Sequence, residues 1–226
     1  MKRLNVIAMV LFSLQLFAQE SPTPKSISKI VQREDKLILN LTSDNWAKLS
    51  LDFKSKPIRS RGFSFLIMNE RMSKSGNLGL GAGLGFMSQN VHTNAYPLDT
   101  TSNGTASILM TIPDSLYEVN KLSLNFITAA IEIRIHSNEN KKKERFKFNL
   151  GMLAGYLVQS HTKFEGKYGK TKIYNIKHLN NFQYGVEGRI GYSNFGINGY
   201  YSLVDVFEKG KGPELIPYSI GISFTF

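Results

Sequence analysis

The last nine residues of the chain alternate strictly between bulky apolar side chains and small or polar ones. The bulky positions are Tyr218, Ile220, Ile222, Phe224 and Phe226. The positions between them are Ser219, Gly221, Ser223 and Thr225. Because successive side chains of a β-strand point to opposite faces, the pattern predicts a strand with one apolar and one small, polar face. Such a strand suits either a sheet that faces lipid or the edge of a soluble sandwich.

The same two-residue period recurs in seven further segments. They lie at about 35–46, 60–72, 77–89, 121–136, 145–161, 182–192 and 194–204. The connections after the first, third, fifth and seventh strands are long, and the others are short. This alternation of long and short connections is expected of an up-and-down barrel that crosses a membrane, whereas a soluble sandwich does not require it. The sequence therefore predicts an all-β fold, an eight-stranded antiparallel up-and-down transmembrane β-barrel over residues 36–226.

The third predicted strand has the clearest alternation. Its small positions are Gly79, Gly81, Gly83 and Gly85, and leucines and a phenylalanine fill most positions between them. Glycine weakens a strand interior but leaves room where another group approaches closely. Four alternate glycines therefore predict that this face lines the crowded interior of a narrow barrel.

Four charged residues lie opposite the apolar faces of their strands: Glu132, Arg134, Glu187 and Arg189. A basic side chain that faces lipid at the membrane midplane costs about 2–4 kcal/mol, so we expect all four to point into the lumen. Buried charges are tolerated when they are paired, and the four are predicted to form a lumen charge network. A proton or ion path is the functional alternative. A barrel of eight strands is only wide enough for its own side chains, so no large pore is expected.

The amino-terminal residues have the layout of a secretory signal peptide. Lys2 and Arg3 precede the largely apolar run 4–17, and a small-residue exit follows. We expect a cleaved signal peptide at 1–19 and a flexible periplasmic leader at 20–35; an uncleaved anchor is the alternative. Beyond the signal, no stretch approaches the roughly 18 apolar residues that a spanning helix needs. The chain has no Cys, which excludes disulfides.

Composition and charge narrow the class further. Hydrophobic residues make up 42% of the chain and the mean hydropathy is −0.19, which excludes a bundle of membrane helices but fits a barrel, where the two faces average out. The formal net charge is +11. The basic residues cluster in the connections rather than on one face, and export argues against a nucleic-acid partner.

The predicted long loop at 162–181 is the most basic connection. It carries Glu165 and a candidate binding patch of five lysines: Lys163, Lys167, Lys170, Lys172 and Lys177. This patch suits phosphates of a surface lipid or an acidic glycan. A solvated loop that its own charges hold extended is the alternative. The run 141–143, Lys-Lys-Lys, falls in a predicted periplasmic turn.

No residue pattern identifies a catalytic, cofactor-binding or metal site. Ser160 and His161 lie near the predicted outer rim, but neighbouring strand residues point to opposite faces and cannot form a nucleophile–base pair there. His92 and His178 lie in predicted loops, where histidines are usually solvated. The chain is therefore predicted not to be an enzyme and to need no cofactor.

Several segments together resemble the small outer-membrane β-barrel proteins of Bacteroidetes-type bacteria, a porin-like or PorT-type family. They are residues 16–19, 35–41, 44–46, 60–63, 78–86, 131–134, 151–156 and 211–214. The resemblance implies an eight-stranded barrel in the outer membrane of a Gram-negative bacterium and carries over no catalytic residue. The last strand is also similar to the signal that the barrel-assembly machinery reads, with Tyr218, Gly221, Phe224 and Phe226 at the signal positions.

The sequence thus predicts a structural, adhesive or binding protein that contacts outer-membrane lipid and acts through its extracellular loops. A PorT-type component of a protein-secretion apparatus and a lipid A-modifying enzyme are the alternatives. Aromatic side chains near strand ends are expected to form an interfacial girdle. These are Tyr156, Tyr192, Tyr200, Tyr201, Tyr218 and Phe226, with Trp46 at the outer rim.

Overall fold

The computed structural model describes residues 37–49, 52–99, 106–167 and 169–226. The predicted signal peptide and periplasmic leader lie outside these residues. Within the described ranges, no helix is long and apolar enough to span a membrane.

Eleven strands follow one another along the described chain. They are β1 (Leu37–Ala47), β2 (Arg61–Met72), β3 (Leu78–His92), β4 (Ala95–Asp99), β5 (Ser107–Thr111), β6 (Tyr117–His136), β7 (Phe146–Gly166), β8 (Gly169–Tyr174), β9 (Phe182–Tyr192), β10 (Phe195–Ser202) and β11 (Ile216–Thr225). Eight of them close into an antiparallel barrel in the order β1-β2-β3-β6-β7-β9-β10-β11. Each corresponds to one segment predicted from alternation, so the predicted fold class is confirmed.

The barrel closes where β11 pairs with β1. The register runs from Ile38 opposite Thr225 to Ala47 opposite Ile216. Leu37 and Phe226 extend it, since each donates its backbone N–H to the carbonyl of the other at 2.9 and 2.8 Å. A closed sheet leaves no unpaired edge, which is the condition for strands to cross a bilayer.

Long and short connections lie at opposite ends of the barrel. The short turns follow β2, β6 and β9, and the shortest contains only Ser193 and Asn194. The long connection between β3 and β6 contains the β4–β5 hairpin and a 3-10 turn at Asp114–Leu116. This parity matches the sequence prediction and places β4, β5 and β8 at the end with the long connections, here called the outer end.

The predicted long loop at 162–181 is wrong in form, because much of it is a hairpin. Strand β7 continues to Gly166 and pairs with β8 from His161–Tyr174 to Gly166–Gly169. Polar and charged side chains occupy both faces of this segment, so it lacks the apolar face by which the other strands were recognised. The hairpin therefore projects the barrel sheet beyond its apolar part.

An apolar band surrounds the outside of the barrel. Its exposed members include Leu80, Leu84, Ile127, Ile131, Ile133, Leu150, Ile190, Ile197 and Ile220. Aromatic pairs border the band at both ends. Phe146 and Tyr192 pack with ring centroids 4.8 Å apart beside the short turns, and Tyr156 and Phe182 pack 5.1 Å apart towards the outer end. Apolar side chains with aromatic borders are the surface that a transmembrane barrel presents to lipid.

Two aromatic predictions need correction. Tyr200 does not join the girdle, since it is 6% exposed and lines an interior cavity, whereas its neighbour Tyr201 is exposed. Trp46 is near the outer end but faces inwards and is 5% exposed. Both have the inward parity of their strands.

Candidate functional site

The strand register gathers three acidic residues into one row across the inside of the barrel. Glu70 on β2 lies opposite Gly81 on β3, which in turn lies opposite Glu132 on β6. Glu132 then lies opposite Gly151 on β7, and Gly151 opposite Glu187 on β9. Acidic residues and glycines therefore alternate around this part of the wall.

Arg134 on β6 and Arg189 on β9 each lie two residues after an acidic residue of this row, on the same face of the strand. Their guanidinium groups contact the acidic row. Arg189 Nη2 donates to both carboxylate oxygens of Glu132 at 2.7 Å. Arg134 Nε donates to Glu132 at 3.2 Å, and Arg134 Nη1 donates to Glu70 at 2.5 Å. All four side chains are at most 4% exposed. Glu132 thus accepts hydrogen bonds from two buried guanidinium groups at once.

Glu187 is bound more loosely at the edge of this cluster. Its Oε1 lies 3.7 Å from Arg189 Nη1 and accepts a hydrogen bond from Asn40 Nδ2 at 3.3 Å. Asn40 also donates to Ser64 Oγ at 3.0 Å. The structure therefore places all four predicted lumen charges inside the barrel, although Glu187 does not share the tight contacts of Glu132.

Sequence reasoning missed Glu70 as a member of this network and Asn40 as a hydrogen-bond donor to Glu187. Each lies on the inward face of its strand. Leu39 on β1 and Ile67 on β2 lie on the other, exposed face. Alternation in β1 and β2 therefore carried the signal for both residues. The interior network is defined here as Glu70, Glu132, Arg134, Glu187 and Arg189.

Gly81 on β3 and Gly151 on β7 make room for this network. A Cβ atom on Gly81 would lie 2.7 Å from Arg134 Nε, closer than carbon and nitrogen approach without a bond. On Gly151, a Cβ atom would lie 2.9 Å from Glu132 Cγ. Gly81 is one of the four alternate glycines predicted to accommodate bulky interior neighbours, and its contact agrees with that prediction.

Between the network and the outer end, Asp44 connects neighbouring parts of the barrel sheet. Its carboxylate accepts hydrogen bonds from the Asn90 backbone at 2.7 Å and from the Thr42 and Ser219 hydroxyls at 2.8 Å. A small cavity lies beside Asp44 and reaches Glu187. The hydrogen bonds of Asp44 join β1 to β3 and also to β11, with which β1 closes the barrel.

An apolar layer lies at the outer end of the interior. Its buried side chains belong to one cluster and come from β1 and the long connections around β9 and β11. They include Trp46, Leu179, Val206, Phe207 and Leu215. Asn180 Nδ2 holds the connections together, since it donates to the carbonyls of Asp205 and Phe207 at 2.8 Å each.

Outside the barrel, the register brings basic residues together on four strands. His92 on β3 lies opposite Lys121 on β6, Lys121 opposite Lys163 on β7, and Lys163 opposite Lys172 on β8. We call these four residues the basic row. Two of them, Lys163 and Lys172, belong to the predicted lysine patch. His92 is a strand residue rather than the loop residue predicted.

The rest of the predicted lysine patch is dispersed. Lys170 Nζ pairs with Glu165 at 2.5 Å one step nearer the hairpin turn, and Lys167 lies in that turn. Lys177 follows β8 in the connection to β9. The sequence missed Lys121 because it stands more than 40 residues before Lys163 and joins the patch only through the strand register.

Burial and mutual repulsion alter the titration of this outer face. Burial, followed by Lys121, Arg59, Lys163 and Lys56, lowers the pKa of His92 to about 4. Burial, followed by Lys163 and Lys172, lowers the pKa of Lys121. Both shifts favour loss of a proton and show that positive charge is crowded on this part of the sheet.

The other candidate residues are not brought together. Ser160 is buried and its Oγ accepts the backbone N–H of Ile176 at 3.0 Å. The ring of His161 lies on the other face of β7, 5.5 Å from that of Tyr174. Across the parts of the chain that the structure describes, no three His, Asp or Glu side chains are grouped so that they could hold a metal ion.

The residues of the predicted carboxyl-terminal signal occupy both faces of the closing strand. Phe226 is exposed on the outside, and Tyr218 and Phe224 share its parity. Gly221 has the inward parity and lies opposite Thr42. Their recognition by the assembly machinery remains an expectation from the sequence.

A closed antiparallel barrel with an apolar, aromatic-bordered exterior and charges in its interior is an integral outer-membrane β-barrel protein. The sequence model of the outer membrane protein β-barrel domain family matches residues 52–208, which is more than half of the chain. The chain belongs to this family, and its place is the outer membrane. A search of curated proteins finds no match.

Proposed function

We propose that this barrel acts from the outer face of the membrane as a binding or adhesive element and does not serve as a large pore. The observation that carries the proposal is the contrast between its two parts. Buried side chains occupy the interior, whereas the longest strands extend well beyond the apolar band.

Two obstacles lie in series along the interior. The interior network ties β2, β6 and β9 together by buried ion pairs, and the apolar layer of Trp46 and its partners lies towards the outer end. A barrel of eight strands is just wide enough for its own side chains. Both features support a barrel without a continuous aqueous path.

Strands β6 and β7 contain far more residues than membrane crossing requires. A tilted strand crosses the bilayer with about 9–11 residues. Strand β6 has 20 residues and β7 has 21, and β8 adds a further strand to their sheet. About half of β6 and β7 therefore stands outside the hydrocarbon region, which supports a function on that side.

Planar-bilayer recording tests the absence of a large pore. The purified barrel should give no large, stable conductance steps, and the Trp46→Ala variant serves to test the apolar layer. Large and stable steps from the wild-type barrel would contradict the closed-barrel part of the proposal.

Cell adherence tests the function of the outer sheet. In one variant, a short Gly-Ser turn replaces the hairpin tip at 164–171. Cells with this variant should adhere less to surfaces or to one another while the barrel keeps its heat-modifiable gel mobility. Unchanged adherence, with the variant present at the cell surface, would contradict the binding or adhesive part.

The finer family assignment is also part of this proposal. The resemblance to PorT-type barrels of Bacteroidetes-type bacteria supports a second function, a component of a protein-secretion apparatus in a Gram-negative cell. Cross-linking in cells followed by detergent purification tests it, since a secretion component should retain the same partner proteins in stoichiometric amount. Recovery of the barrel alone would argue against that function.

The third hypothesis, modification of lipid A, gains no support from the separated Ser160 and His161. We infer that the chain is not an enzyme. Mass spectrometry of lipid A from cells with and without the protein tests this inference. A change in acylation that depends on the protein would overturn it.

A further inference from the structure

We propose that the three lysines of the basic row, Lys121, Lys163 and Lys172, bind the phosphate groups of an outer-leaflet glycolipid. The inference rests on the proposed function and names the ligand class of the outer sheet. Its starting point is the register, because four basic side chains lie directly opposite one another on four adjacent strands.

The row carries more positive charge than its protein contacts neutralise. Lys121 Nζ donates to the neutral Asn90 Oδ1 at 2.9 Å, and Lys172 Nζ lies 4.7 Å from the centre of the Tyr174 ring. Among the described residues, the one carboxylate in ion-pair contact with the row is Glu165, 3.1 Å from Lys163 Nζ. Glu165 also pairs with Lys170. Lys121 and Lys172 therefore flank Lys163 without carboxylate partners within the described chain.

Like charges directly opposite one another destabilise a sheet, so this arrangement has a cost in the isolated protein. Burial and the facing cations depress the pKa values of Lys121 and His161, and Lys172 has a larger effect on His161 than Lys121 has. An anion placed between the strands would relieve this repulsion. Phosphate suits the row because its several oxygens can accept hydrogen bonds from more than one ammonium group.

The position of the row favours a lipid. Lys121 shares the outward parity of Ile127, Ile131 and Ile133 on β6, which face lipid. The row thus lies on the membrane-facing side of the sheet rather than at the hairpin tip. Lysine stems can lie along apolar surface and direct their ammonium groups towards the membrane interface.

The height of the row distinguishes between lipids. Lys121 is six residues beyond Ile127, the last large apolar residue on that face, which corresponds to about 20 Å along the strand and about 15 Å above the apolar edge at ordinary strand tilt. A simple phospholipid headgroup extends only about 5–7 Å above the hydrocarbon. A glycolipid that carries phosphate on its sugars reaches higher, so we commit to this class.

Binding of purified glycolipid to the full-length barrel in neutral detergent tests the proposal. The probe is an outer-leaflet glycolipid with sugar phosphates, compared with the same lipid after removal of the phosphates. The test variant combines Lys121→Gln, Lys163→Gln and Lys172→Gln. Its matched control combines Lys141→Gln, Lys142→Gln and Lys143→Gln, which removes equal charge in a short turn at the opposite end.

We expect the phosphorylated glycolipid to bind the wild type and the control equally, and to bind the triple variant at least about tenfold more weakly. Equal binding by the test variant, or equal binding of the dephosphorylated lipid, would overturn the proposal. Lys172→Gln alone removes an exposed side chain and tests the row if the triple variant fails to show heat-modifiable mobility. It should weaken binding severalfold, and no change would overturn the proposal.

Two further probes separate the possible sources of phosphate. Inorganic phosphate at millimolar concentration should displace the glycolipid only weakly, and phosphatidylglycerol should bind less tightly than the glycolipid. Full displacement by inorganic phosphate, or equal binding of phosphatidylglycerol, would contradict the commitment to a glycolipid. Adherence of cells with the shortened hairpin is measured without added lipid, so the proposed function can fail or succeed independently of this result.

Discussion

Arg189 Nη2 lies 2.7 Å from each carboxylate oxygen of Glu132, so one guanidinium nitrogen bridges the whole carboxylate. Glu132 in turn accepts a hydrogen bond from Arg134, which also binds Glu70. One carboxylate therefore connects both arginines of the barrel interior. Its removal should disturb the network more than the loss of any peripheral contact.

Glu132→Gln should destabilise the folded barrel by about 3–5 kcal/mol, because it leaves two buried guanidinium groups without the carboxylate they share. The measurement is denaturant unfolding in lipid vesicles, followed by fluorescence of the single tryptophan, Trp46. Glu165→Gln is the control, since its partner Lys170 is mostly exposed and surface pairs contribute about 0–1 kcal/mol. Equal effects of the two substitutions would argue against a central contribution of Glu132.

Gly81→Ala should destabilise the barrel by about 1–3 kcal/mol, because the added methyl group overpacks against the Arg134 guanidinium. Gly199→Ala is the matched control in another barrel strand, where the nearest atom to a new Cβ lies 3.9 Å away. The control should be neutral or slightly stabilising. Unfolding of the two variants in parallel checks the difference, and a Gly81→Ala barrel as stable as wild type would contradict the packing argument.

Leu84→Arg should cost about 2–4 kcal/mol, since it places a charge in the middle of the lipid-facing band. Gln159→Arg places the same charge on an exposed position beyond the band and should cost about 0–1 kcal/mol. Unfolding in vesicles compares them. Similar costs at the two positions would show that the apolar band is not the lipid-facing surface.

His92 should contribute a loss of stability as the pH decreases from about 6.5 to about 4, because burial and nearby cations lower its pKa from the ordinary 6.5 to about 4 in the folded protein. Above pH 6.5 both states hold a neutral imidazole, so His92 contributes no pH dependence there. Below it the unfolded chain binds the proton more readily, and the loss levels off near pH 4.

His92→Gln should flatten this dependence without abolishing it, since burial, Lys172 and Lys121 also lower the pKa of His161. The measurement is the midpoint of denaturant unfolding between pH 4 and pH 8 for both proteins. An identical slope in the variant would contradict the contribution of His92. His178→Gln, in the connection between β8 and β9, is the control.

Alternation was enough to predict the eight barrel strands and the inward direction of Glu132 and Arg189. It failed where a strand lacks an apolar face, as in the hairpin of β7 and β8. Contacts between distant residues depend on register, which a period of two does not supply. For that reason the sequence could not place Lys121 opposite Lys163, or show that Glu132 rather than Glu187 is the shared carboxylate.

The pairing of β1 with β11 also has a kinetic consequence. Contacts between strands so far apart in the chain are the slowest to form, because the longest loop must close before any of them is gained. Until then the growing sheet has two open edges, each able to pair with another chain. The rate of assembly is therefore expected to depend on this last pairing step, and substitutions at the seam should alter the yield of finished barrels more than their final stability.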